Sequence, residues 1–276
     1  MPAKPTRIFS DVHYGDRASG VRDIRQLSGL AEGAGSIIVN GDMLDTRAGP
    51  DPKRTAEQRA EVFAFFSGAG AAMTYVTGNH DPDISACHSC ELAGGEVFVT
   101  HGDVVFDDIV PWGRDAGIIR RRLREAWPAN AGGTLEEQLA AWRRVAAAIP
   151  QRHQSERHPV KYVLRFAADT IWPPWKALLI LNAWRVQPPR IAALVRRHRP
   201  SARFAIVGHT HYPGIRTVDG VTVINTGSFC GPLGGLTVDI EPGGLTVRRM
   251  ERIRGAYRPG RKLREFALAA APGADH

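Results

Sequence analysis

A chain of 276 residues is long enough for one large domain with a sizeable core, and 43% apolar with 23% charged residues excludes wholesale disorder. No run of about 18 apolar residues is present, which excludes a spanning helix, and three cysteines cannot build a disulfide framework. The net charge of +8 conceals a split: residues 1–103 carry 9 Lys/Arg against 14 Asp/Glu, whereas residues 104–200 carry 17 against 8 and hold all six tryptophans.

In chain order, residues 7–10, 37–40, 73–77 and 97–100 are short, rich in β-branched or aromatic side chains, and predict strands. Helical spacing lies between them at 21–31 and 55–67, the latter with Val62, Phe63 and Phe66 on one face. Strands alternating with helices indicate an α/β layered fold. From 104 to 200 the pattern is helical, at 118–126, 135–148, 160–170, 176–182 and 189–198, punctuated by Pro128, Pro150, Pro173 and Pro174. Strands resume at 203–207, 221–225, 235–240 and 245–249. The expectation is one α/β domain with its core at 1–103 and 201–250, a helical cap inserted at 104–200, and a basic C-terminal tail at 251–276.

The predicted strands end in metal-competent groups: Asp11 and His13, then Asp42, then Asn79 and His80, then His101, then His209 and His211. Ligands bind at the carboxyl ends of strands in open α/β sheets. Oxygen and imidazole donors suit a divalent ion of the first transition row. Gly41, Gly78, Gly102 and Gly208 accompany them, where tight turns must bring backbone close to a site.

As motifs these read D-V-H at 11–13, G-D at 41–42, G-N-H-D at 78–81, H-G-D at 101–103 and G-H-T-H at 208–211. In this order they resemble the calcineurin-like metallophosphoesterases, over roughly residues 7–103 and 203–249. The resemblance implies a β-sandwich flanked by helices and two divalent ions, manganese first, with iron, zinc, cobalt, nickel or magnesium as alternatives. It implies that Asp11, His13 and His211 hold one ion, that Asn79, His101 and His209 hold the other, and that Asp42 bridges both. A bridging hydroxide would attack phosphorus. His80 would protonate the leaving oxygen, with Asp81 holding its tautomer. Asp45, Asp103 and Asn225 are expected behind the ligands. For Asp16, His88, His153, His158, His198 and Asp239 the expectation is a structural or surface role, and for Cys87 and Cys90 two partly buried thiols.

The basic block suits an anionic partner, and Arg120, Arg121 and Arg122 are its candidate substrate contacts. The helical insertion between H-G-D and G-H-T-H is similar to that of the UDP-2,3-diacylglucosamine pyrophosphohydrolases, although G-N-H-D stands where that subgroup commonly has G-N-R-D. The resulting expectation is a metal-dependent phosphoester or phosphoanhydride hydrolase acting on a small-molecule or lipid-linked phosphate. The alternatives are a generic phosphomonoesterase or phosphodiesterase and a catalytically silent scaffold. Peripheral membrane contact fits the basic cap and tail, a platform for nucleic acid is lacking, and a cytoplasmic setting follows from the N-terminus and the cysteine usage.

Overall fold

Side chains along the strands alternate between two apolar environments, and that alternation sets the layers. Ile8 and Ile38 face one core while Phe9, Ile37 and Val39 face another; Val97 and Val99 join the first while Phe98 turns to a third. The computed structural model describes residues 3–128, 132–151 and 173–269. Its first sheet comprises β1 (Thr6–Phe9), β2 (Ser36–Asn40), β3 (Ala72–Val76), β9 (Leu236–Glu241), β10 (Gly244–Ile253) and β11 (Ala256–Ala267), in the order β11-β10-β9-β1-β2-β3. The second comprises β4 (Ser89–Leu92), β5 (Val97–Thr100), β6 (Phe204–Val207), β7 (Gly214–Val218) and β8 (Val221–Asn225), in the order β4-β5-β6-β8-β7. Both sheets are mixed: β1, β2 and β3 run parallel, as do β5, β6 and β8, with antiparallel strands at the flanks.

The two sheets pack face to face through Ile8, Ile38, Val97, Val99, Phe204, Ile206, Ile224 and Val238. The outer face of the first sheet is covered by α1 (Ser28–Ala31) with its preceding turn, and by α2 (Pro52–Ser67), which buries Val62 and Phe66. Asp51 caps α2 by accepting from Arg54 N, and Pro52 opens it. This α/β architecture, two mixed sheets with helices outside the sandwich, is consistent with the layered fold expected from the sequence.

The described helices of the inserted block pack on the second sheet. They are α3 (Ala116–Ala126), α4 (Leu135–Ala147) and α5 (Trp175–His198). Ile119, Leu123, Leu139, Trp142, Val145, Ile191 and Val195 bury against Phe98, Ala205, Val207, Val221 and Val223. These described helices are therefore an outer layer on the second sheet, whose apolar face they cover. The helices expected at 176–182 and 189–198 are one, with Pro188 and Pro189 inside it. The missing N–H groups cost local helix bonds, and the wholly buried Ile191, Ala192 and Val195 hold the helix on the sheet regardless. The helix expected at 160–170 lies outside the described residues.

The tail expected from 251 is a strand as far as Ala267. β10 and β11 form an antiparallel hairpin with irregular register near Arg248, and Arg258, Arg261, Lys262 and Arg264 line an edge strand, where charge blunts edge-to-edge pairing. Among the described residues no helix is long and apolar enough to cross a membrane.

Candidate metal centre

The carboxyl ends of the parallel strands in both sheets meet at one place. β1, β2 and β3 deliver Asp11, His13, Asp42 and Asn79; β5 and β6 deliver His101, His209 and His211. Asp11, His13, Asp42, His209 and His211 all have positive φ, between 49° and 72°. Asp and His tolerate the left-handed region better than most residues, at a cost of roughly 1–3 kcal/mol each that the surrounding fold must cover. A Cβ on Gly78 would lie 2.1 Å from Asp42 Oδ1, so only glycine permits this loop to pass so near the carboxylate.

Donor atoms converge in three overlapping groups, each within 4.8 Å: Asp11 with His13 and His211, His13 with Asp42 and His80, and Asp11 with Asp42 and His101. His211 Nε2 lies 3.1 Å from His13 Nε2 and 3.2 Å from Asp11 Oδ1. His101 Nδ1 donates to the Asn40 carbonyl at 3.0 Å, which turns Nε2 toward Asp42 Oδ2 at 3.3 Å and Asn79 Oδ1 at 3.2 Å. His209 Nε2 donates to the Ile109 carbonyl at 2.8 Å, leaving Nδ1 bare and 2.9 Å from Asn79 Oδ1. Each backbone carbonyl thus takes one ring nitrogen and turns the other inward, as ligating histidines require. Imidazole nitrogens, a carboxamide oxygen and carboxylates converge in one buried pocket, and this donor set fits divalent metal binding.

The electrostatics agree. Burial lowers His13 to about 4 and His209 to about 4, so both are neutral near pH 7. Burial opposes ionisation of Asp42, but His101, His80 and His13 outweigh it and hold the carboxyl well below its usual range. Burial likewise works against the charged form of His101, and Asp42, with Asp11 and Asp103, overrides it and raises the imidazole to about 10.

His80 sits at the rim, its ring 4.9 Å from that of His13. Its expected orienting partner was Asp81, and this is corrected. Asp81 is wholly buried and accepts from the backbone N–H groups of Gly78 (2.7 Å), Asp42 (3.0 Å) and Met43 (2.7 Å), tying the two ligand loops together. Asp45 takes the orienting place, with Oδ2 3.1 Å from His80 Nδ1. Arg47, which sequence reasoning missed, lies 2.9 Å from the same nitrogen and pairs with Asp45 at 2.6 Å. Its only signal was an arginine two residues past Asp45.

Behind the ligands, Asp103 forms a buried ion pair with Arg143 of α4. Asn225 Nδ2 donates toward Gly208 O (2.8 Å) and Thr210 Oγ1 (2.9 Å), bracing the G-H-T-H loop. The three candidate substrate arginines find partners within the insertion: Arg120 bonds to Asp108 at 2.5 Å, Arg122 to the Ala148 carbonyl at 3.1 Å, and Arg121 makes a loose, exposed ion pair with Glu125 at 4.0 Å. Cys87 and Cys90 are free half-buried thiols, with Cys90 pushed up to about 12 by burial. Of the histidines expected to be structural, His153 and His158 lie outside the described residues. His88 bonds to Thr77 Oγ1 at 2.8 Å.

Residues 152–241 match the calcineurin-like phosphoesterase superfamily domain. The matched span runs through α5, β6 and the G-H-T-H loop to Asn225 and β9. A dimetal phosphatase from Danio rerio is similar in structure, at 13% identity and a TM-score of 0.46, covering 98% of this chain and 100% of that one. Vacuolar protein sorting 29 from Cryptosporidium parvum gives 11% and 0.45, covering 96% and 100%. A predicted phosphoesterase from Streptococcus pneumoniae gives 14% and 0.41, covering 96% and 99%. No curated relative matches the sequence.

Proposed function

We propose that the protein is a metal-dependent phosphoester or phosphoanhydride hydrolase with a dinuclear centre. The observation that carries this reading is the inward-facing donor set: His101 Nε2 and His209 Nδ1, turned inward by backbone carbonyls on their other nitrogens, against Asp42 and Asn79, beside the Asp11–His13–His211 group. Asp11, His13 and His211 would hold one ion and Asn79, His101 and His209 the other, with Asp42 between them. Bound there, a pair of divalent ions supplies Lewis-acid stabilisation of phosphoryl charge and lowers the pKa of water at the site.

The chain's own groups do the rest. With Nδ1 engaged by Asp45 and Arg47, His80 presents Nε2 at the rim and gives a proton to the leaving oxygen. Its backbone N–H donates to Asp42 Oδ1 at 2.8 Å, which ties the loop of the acid to the loop of the carboxylate. Arg47 adds fixed positive charge beside the position an anionic substrate must occupy.

For the substrate, we favour an amphiphilic phosphate, and the feature supporting it is the start of α5. Trp175, Leu178, Leu179 and Leu181 are exposed there, and two and a half turns after Trp175 the helix brings Trp184 onto the G-H-T-H loop. Lys176 and Arg185 flank this apolar stretch, and α5 contains no acidic residue, a composition suited to acyl chains or an anionic lipid surface. The test is product analysis on chelator-stripped protein restored with Mn2+, offered a nitrophenyl monoester, a nitrophenyl diester and UDP-2,3-diacylglucosamine. Metal-dependent release of UMP from the lipid nucleotide supports the full reading. Cleavage of the simple esters alone keeps the chemistry and discards the lipid. Failure on all three with metal bound favours the scaffold.

A further inference from the structure

Gln187 lies on α5 immediately before the proline pair, 2% exposed, with its carboxamide spent on the loop that carries two ligand histidines. Its Nε2 donates to Gly208 O at 3.1 Å, and its Oε1 accepts from Thr210 Oγ1 at 3.0 Å and from Asn225 Nδ2 at 2.8 Å. From the preceding turn of the same helix, Trp184 Nε1 donates to Thr210 O at 2.9 Å while its ring stacks on Tyr212 at 4.4 Å. Thr210 stands between His209 and His211, both in the left-handed region, so the spacing of the two imidazoles depends on how this loop is held.

We propose that Gln187 is a positioning residue of the metal centre, supplied by the insertion: it fixes the G-H-T-H loop so that His209 and His211 keep ligand geometry. The position requires one donor and a twofold acceptor on a single buried side chain, which a carboxamide offers and an apolar residue of equal length does not. Buried polar partners left without it would reorganise, and the loop they belong to holds the ligands. The inference rests on the metal-binding reading above and adds that the helical layer of the second sheet sets metal affinity.

The test is calorimetric titration of chelator-stripped, full-length protein with Mn2+, comparing wild type, Gln187→Met and Trp184→Phe, with circular dichroism melts to verify folding. Methionine keeps length and apolar volume while removing all three hydrogen bonds. The expected result is folded Gln187→Met with Mn2+ affinity reduced about 10- to 100-fold, the range found for groups that orient ligands. Trp184→Phe, which keeps the aromatic stack and loses only the N–H, should weaken binding less. Wild-type affinity in folded Gln187→Met overturns the proposal and leaves Gln187 a packing residue. Should Gln187→Met fail to fold, Trp184→Phe decides, and unchanged affinity there overturns it equally. Absence of Mn2+ uptake by wild type would instead remove the metal-binding reading, and this inference with it.

Discussion

At the scale of single residues, the site is built by backbone that most side chains avoid. Five of the seven ligand candidates sit at positive φ, and backbone carbonyls orient the rings of His101 and His209. Asp42→Asn should therefore abolish metal-dependent turnover and lower the bound-metal count, measured by elemental analysis. His80→Ala should leave metal content intact and slow turnover by about 10²–10⁴-fold, most for esters with poor leaving groups. Asp45 and Asp81 separate two kinds of support. Asp45→Asn should slow turnover at unchanged metal content, because it touches His80, whereas Asp81→Asn should lower the melting temperature, because it braces Gly78, Asp42 and Met43. A protonation consequence follows from His101. With its pKa raised to about 10 by Asp42, the metal-free protein carries a proton there at pH 7, and a ligand imidazole cannot keep it. His13 and His209, lowered to about 4, are already neutral and release none. Mn2+ loading at pH 7 should release protons from this site, and affinity should fall as pH is lowered; a pH-stat titration reads both.

At the scale of elements, the insertion behaves as structure before it behaves as specificity. α3, α4 and α5 cover Phe98, Ala205, Val207, Val221 and Val223, and they also reach the site through Arg143 to Asp103 and Gln187 to Gly208. Leu139, with no exposed surface, is the cleanest probe: Leu139→Ala should cost about 2–5 kcal/mol in urea unfolding. Excising residues 104–200 should yield insoluble protein, because the second sheet would lose the apolar cover of one whole face. Soluble excised protein that still cleaves a nitrophenyl ester would restore the reading of the block as a lid. The strand β11 makes a similar point. Its basic residues read as a tail in the sequence, yet pairing with β10 gives their backbone groups partners and leaves the charges on the sheet's edge.

For the whole molecule, the candidate ligands come from both sheets: Asp11, His13, Asp42 and Asn79 follow strands of the first, His101, His209 and His211 strands of the second. A cation held by both sets would cross-link layers that otherwise adhere through apolar contact and a few buried hydrogen bonds at Asn40. Metal at 100 times its dissociation constant should stabilise the folded state by about 2.7 kcal/mol per site. Thermal melts with and without Mn2+ should show that gain, and Asp42→Asn should lose it.

The sequence by itself determined the donors. Short apolar runs each followed by Asp, Asn or His are legible without a structure, because strand period and strand-end chemistry are local properties. The same locality made Ile37–Val39 and Val97–Val99 readable as buried strands, and allowed Asp45 to be placed near the site. What joins residues distant in sequence was decided only by the tertiary structure. Asp81 adjoins His80 in the chain but turns to backbone N–H groups of the neighbouring loop, and Asp45 reaches the imidazole from 35 residues away. Arg143 and Gln187 carry no signal of function in helices of ordinary composition. The described helices of the inserted block lie on the second sheet because its apolar outer face has to be covered. Burial of that face is a property of the assembled sheet, and no single segment encodes it.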